Sequence, residues 1–121
     1  LIQDSDREGF HLHLGYILQD LSSAEELDDI LFIVVDQLQR GASLMKDRHE
    51  KVNFAKLCLM AGKKAYAISA FLAASVYLKA GINSLVDEDW EMHRELCLNL
   101  YSTCSETEYV LQDYDAMQWH L

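Results

Sequence analysis

The chain has 121 residues, 50% of them hydrophobic and 25% charged, which is enough apolar material for one packed domain and too much for a disordered segment. A formal net charge of -10 argues against nucleic acid or an anionic membrane surface as the main partner. The longest apolar run, Ile30 to Val35, stops at Asp36, far short of the ~20 residues a membrane span needs, so a soluble, cytoplasmic setting is expected.

Cys58, Cys97 and Cys104 are an odd number for a disulfide framework. On a common helix Cys97 and Cys104 would stand about 10 Å apart, beyond bridging distance, so reduced thiols are expected. The chain starts at Leu1 without an initiator methionine, which points to a processed product or a fragment of a larger protein.

Proline is absent, so helix can follow helix with few forced breaks. Apolar spacing predicts a first helix over about 6–20, with Leu14, Ile17, Leu18 and Leu21 on its buried side. Ser22-Ser23-Ala24-Glu25-Glu26 holds two overlapping Ser-x-x-Glu capping boxes and opens a second helix reaching about residue 45. Its apolar stripe is Leu27, Ile30, Leu31, Val34, Leu38, Ala42 and Met45. The β-branched run Ile33-Val34-Val35 is a competing strand signal, outweighed by the caps and the length of the pattern.

Asp47-Arg-His-Glu50 caps a third helix over about 48–61, with Gly62 as its left-handed stop. A fourth helix is expected over about 63–85. On it Ala67, Phe71 and Ala74 fall at i, i+4 and i+7, one face, with Phe71 as a buried anchor and Ala55 allowing close approach of the preceding helix. The acidic Asp87-Glu88-Asp89 suits the start of a fifth helix, about 88–111, with Trp90, Cys97, Leu100, Tyr101, Cys104 and Leu111 in its core. Asp113-Tyr114-Asp115-Ala116-Met117 opens a sixth. The expected fold is all-α: about six helices in three antiparallel pairs (about 6–45, 48–85 and 88–121) stacked as one short superhelix.

No catalytic, cofactor or metal residue emerges. His11 lacks the neighbouring lysine that would stabilise an incoming phosphoryl group electrostatically, the nearest basic residue being Arg7. His93 and Cys97 share a helix face at i, i+4, but no second pair completes a zinc site. The acidic run before Trp90 lacks the alternating oxygens and turn glycine of a calcium loop. Gly62-Lys63-Lys64 is not a phosphate loop, so no nucleotide hydrolysis is expected. Six of the ten basic residues lie between positions 46 and 64. Within that surplus Lys56, Lys63 and Lys64, together with Tyr101 and Tyr109, form a candidate face for proteins or peptides; Tyr114 and Trp119 extend the aromatic set.

The spacing of Ala55, Gly62, Ala67, Phe71 and Ala74 resembles a divergent tetratricopeptide repeat, with Lys51 where the family often has tryptophan and without the closing proline. A narrower resemblance covers most of the chain. It rests on His11-Leu-His-Leu-Gly15, Leu31-Phe-Ile-Val-Val-Asp-Gln-Leu38-Gln-Arg-Gly41-Ala and Leu57-Cys-Leu-Met-Ala-Gly62-Lys-Lys-Ala65, in that order. Ala74-Ser-Val-Tyr-Leu-Lys-Ala-Gly81 and Trp90-Glu-Met-His-Arg-Glu-Leu-Cys-Leu98 follow. Together these blocks resemble the helical region after the AAA-type ATPase module of large multidomain serine/threonine and sensor histidine kinases. The resemblance implies a non-catalytic scaffold or signal-transmitting region, with ATP handled by other domains and neighbouring domains of the same chain as partners. Its alternatives are a stand-alone peptide-binding module and a histidine phosphotransfer bundle.

Overall fold

Capping chemistry decides where several helices begin. In the computed structural model, which describes residues 4–119 and the side chains within 6–113, seven α-helices follow one another. They are α1 (Asp4–Leu21), α2 (Ala24–Asp29), α3 (Leu31–Arg40), α4 (Arg48–Ala67), α5 (Phe71–Asn83), α6 (Asp89–Met92) and α7 (Arg94–Trp119), with a short 3-10 turn at Ala42–Leu44. Ser23 and Glu26 form a reciprocal capping box at the start of α2, whereas the Ser22 hydroxyl turns back and donates to the Leu18 carbonyl. Asp47 caps α4 by accepting from the His49 N–H at 2.9 Å.

The expected long second helix is broken. Ile30, at φ -111°, separates α2 from α3, and Gly41 ends α3 before the 3-10 turn. α2 contributes no fully buried residue; it is held by the partly buried Leu27 and by Asp28, which meets Lys64 of α4. The β-branched run does lie in a helix: Val34 and Val35 are fully buried, and burial overrides the mild strand preference.

Gly62 does not end a helix. It lies within α4, which continues to Ala67. The stop comes at Ser69, which holds φ 62° while the Ala70 N–H reaches the Ala65 carbonyl at 2.8 Å and the Ser69 N–H reaches Tyr66 at 2.9 Å. This is the Schellman arrangement, with serine where glycine is usual. Ala67 and Phe71 therefore sit on opposite sides of a chain reversal and share no helix face. Ala55, Gly62 and Ala74 are buried, Ala67 is exposed and Phe71 is half-buried, edge-on to Tyr66 at 5.2 Å.

The fifth predicted helix is divided at His93 into α6 and α7. The sixth does not exist as a separate element, because the backbone of Asp113 to Met117 continues α7. No glycine or proline interrupts residues 94–119, so the acidic residues there sit on a helix already propagating. The side chains of Tyr114 and Trp119 lie outside the described residues.

The helices pack in sequence: α1 on α3, α3 on α4, α4 on α5, and α7 against both α5 and α4. On one side of α4 the core joins Leu31, Val34 and Leu38 to Phe54, Leu57 and Ala61; on the other, Val52 and Ala55 meet Leu78, Leu96 and Leu100. α1 turns a different face inward from the expected one. Gly15 is buried and Leu12, Tyr16 and Leu18 pack on the core, while Ile17 and Leu21 are 38% and 79% exposed.

A single contact explains that rotation, and it occurs twice. A Cβ on Gly15 would stand 2.6 Å from Leu38 Cδ2, and a Cβ on Gly62 would stand 2.5 Å from Leu78 Cδ2. In each case a leucine of the following long helix lies against bare backbone, closer than any side chain permits. Each leucine is followed three residues later by a glycine facing the earlier helix: a Cβ on Gly41 would meet the Glu8 carbonyl oxygen at 2.5 Å, and one on Gly81 the Ala55 carbonyl oxygen at 3.4 Å. Glu8 and Ala55 each stand seven residues before the first glycine of their pair, and the two Leu-x-x-Gly units are forty residues apart. The α1–α3 and α4–α5 pairs are thus two copies of one packing unit.

Candidate interaction site

The five residues expected to form one interaction face are dispersed. Lys56 and Lys63 are exposed on α4. Lys56 borders two adjoining clefts: one of about 270 Å³ includes His49, Asn53 and His93, and one of about 400 Å³ includes His93, Arg94 and Asn99. Lys64 is engaged elsewhere. Its ammonium donates to the Asp28 carbonyl, stands 3.8 Å from the Asp28 carboxylate and lies 5.4 Å from the Phe32 ring centroid, joining α4 to α2 and α3. Tyr101 is partly exposed and packs on Trp90 at 5.4 Å between ring centroids, so neither ring is the buried core residue expected. Tyr109 is 72% exposed on α7.

A larger apolar groove, about 890 Å³, runs along α5. Phe71, Leu72, Val76 and Tyr77 of α5 line it, together with Asp36 of α3 and Leu111 of α7. Tyr77 belongs to the wall it makes with α3: its ring stacks on Phe32 at 5.5 Å and its hydroxyl donates to Asp36 at 3.2 Å. Burial, with the Asp36 carboxylate beside it, pushes the Tyr77 hydroxyl up to about 12. Leu72 and Val76 are 71% and 52% exposed. Sequence reasoning did not single out this pair, because it took the face through Ala67, Phe71 and Ala74 as the one that matters on a helix running through from residue 63. The available signal was their position forty residues after Phe32 and Asp36, the same interval that separates the Leu-x-x-Gly units.

Polar ties fix the frame around these surfaces. Arg48 pairs with the buried Asp89 and donates to the Ser84 carbonyl at 3.1 Å, while Asp89 also accepts from the Val86 N–H at 2.8 Å. Asp89 thus clamps the α5–α6 connection onto the start of α4, and α6 has no side-chain cap. Between α5 and α7, Glu108 accepts from the Ser75 hydroxyl and pairs with Lys79 at 2.9 Å, and these two partners hold its carboxyl below the usual range. Tyr16 donates to Glu50 at 2.8 Å, and Gln19 and Asn53 exchange amide hydrogen bonds, joining α1 to α4.

None of these groups forms a reactive set. His11 Nδ1 lies 2.6 Å from Gln37 Oε1 in the α1–α3 seam, half-buried. All three cysteines are free and buried; burial raises each thiol, Cys58 to about 12, which disfavours the reactive thiolate. Among the described residues no three His, Cys, Asp or Glu side chains converge as metal ligands, and no helix is long and apolar enough to cross a membrane.

Comparison with known proteins gives this frame a context. The chain is 29% identical over 90 residues to hybrid signal transduction histidine kinase G of Dictyostelium discoideum, a match covering 67% of this chain and 3% of that protein. The similarity is to a signalling kinase, of whose length this chain spans a small part. No protein-family profile matches the chain, and no solved structure matches it.

Proposed function

We propose that this chain is a non-catalytic, tetratricopeptide-like stack of helix pairs inside a larger ATPase-containing signalling kinase, where it holds neighbouring domains in register. Its partners are those domains, with exposed faces for other proteins or peptides; it engages neither nucleic acid nor membrane and acts in the cytoplasm. It uses no cofactor, ATP being handled elsewhere in the parent protein. The observation that carries this reading is the repeated glycine–leucine contact. Gly62, Ala74 and Leu78 follow the repeat's pattern of a small residue in the first helix and a small-x-x-x-large pair in the second. This register differs from the one expected through Ala67 and Phe71. The similarity to a hybrid histidine kinase supports the signalling context.

The test is to recover the natural polypeptide with an antibody against an exposed segment of this chain, then measure its mass and its phosphorylation by ATP. The expected product is many times heavier than 13.9 kDa and takes up acid-labile phosphate in its other domains. A species of 13.9 kDa without kinase activity would contradict the proposal.

A further inference from the structure

α4 and α7 differ in how much of their circumference is covered. α4 buries Phe54, Leu57 and Ala61 on the α3 side, and Ala55, Cys58 and Gly62 towards α5, because it has neighbours on both flanks. α7 buries Leu96, Cys97, Leu100 and Cys104 against the preceding pair, while Leu98, Tyr101 and Tyr109 on its other side stay exposed. α3 and α5 differ in the same sense. On α3, Phe32 is half-buried under the stacked Tyr77 ring of α5 and the exposed Asp36 accepts from its hydroxyl, whereas Leu72 and Val76, forty residues later on α5, are exposed and line the apolar groove together with Leu111 of α7.

From this repetition we propose that the corner between α5 and α7 is the seat of one further amphipathic helix of the same polypeptide, packed on α7 and meeting α5 through an aromatic side chain as α5 packs on α4 and meets α3 through Tyr77. The existing interface states what that helix presents. α5 turns an aromatic, Tyr77, towards α3, and sets the adjoining Leu78 and Gly81 against α4. The occupant has the same order: an aromatic over Leu72 and Val76, then a leucine and a small residue facing the open side of α7. The exposed Leu72 and Val76 continue the line along which Tyr77 of α5 meets Phe32 of α3, and that continuity makes a helix the shape that fits. The inference rests on the proposed place of this segment within a longer protein.

Thiol labelling tests it, read at each position by mass spectrometry of the peptide that carries it; in the 121-residue chain the three native cysteines are buried with raised thiols and leave little background. Leu72→Cys, Val76→Cys and, as a control on the exposed part of α4, Met60→Cys are introduced into both the 121-residue chain and the purified natural polypeptide. In the short chain all three react with a maleimide at similar rates. In the natural polypeptide Cys at 72 and 76 is slowed by at least about tenfold while Cys at 60 is unchanged. A Leu72→Asp, Val76→Asp double variant leaves the melting of the short chain unaltered and lowers that of the natural polypeptide. If the natural polypeptide is long but positions 72 and 76 stay fully reactive, this inference fails and the scaffold reading stands; if no longer polypeptide exists, both fail.

Discussion

Gly62 and Leu78 concentrate the packing argument at one point. Replacing Gly62 with alanine drives a methyl group into Leu78 and is expected to destabilise the chain by about 1–3 kcal/mol in urea unfolding. The same substitution in a Leu78→Ala background costs less, and the difference, read as a double-mutant cycle, measures the contact itself. Leu78→Ala alone removes a fully buried side chain and is expected to cost about 2–5 kcal/mol. Phe71→Ala, at a half-buried position, is expected to cost only about 1 kcal/mol. Sequence reasoning put the anchor at Phe71 because the aromatic is larger and Gly62 resembled a helix stop. The true stop is Ser69, whose left-handed backbone no residue pattern announces. Ser69→Gly relieves that conformation and should raise stability by about 0.5–1 kcal/mol.

Individual helices were legible where local chemistry decides them. The Ser23–Glu26 box and the Asp47 cap were both readable, and Asp47→Ala is expected to lower stability by about 1 kcal/mol in the same assay. The breaks at Ile30 and His93 were not readable, because neither residue is a helix breaker and no capping side chain marks the helix that follows Ile30. Contacts between helices also set the pH response. Burial raises the Cys58 thiol from 9.0 to about 12, so between those values the unfolded chain has lost a proton the folded chain keeps. Stability contributed by that group is full below about 9 and declines as pH rises towards 12, a decline that Cys58→Ala reduces. Glu108 behaves oppositely. Its carboxyl is held below 4.5 by Ser75 and Lys79, so its contribution is present above that pH and is lost as pH falls through the lowered value. Circular-dichroism melts of Glu108→Gln should lose that acid-side dependence.

For the whole molecule, the absence of proline and the helical spacing of apolar residues made the all-α class plain, while which face each helix turns inward, as at Gly15 and Gly62, was not legible. Charge was silent about arrangement, since Lys64 is spent on α2 while Lys56 stays free of that contact. If the helices stack in sequence, α4 is the middle layer and the outer helices depend on it. Native-state hydrogen exchange of the full chain tests this most directly. Amides of α4 from Ala55 to Gly62 should exchange slowest, with protection falling towards α1 on one side and α7 on the other. Equal protection in α1, α4 and α7, or a maximum in α1, would contradict a sequential stack centred on α4.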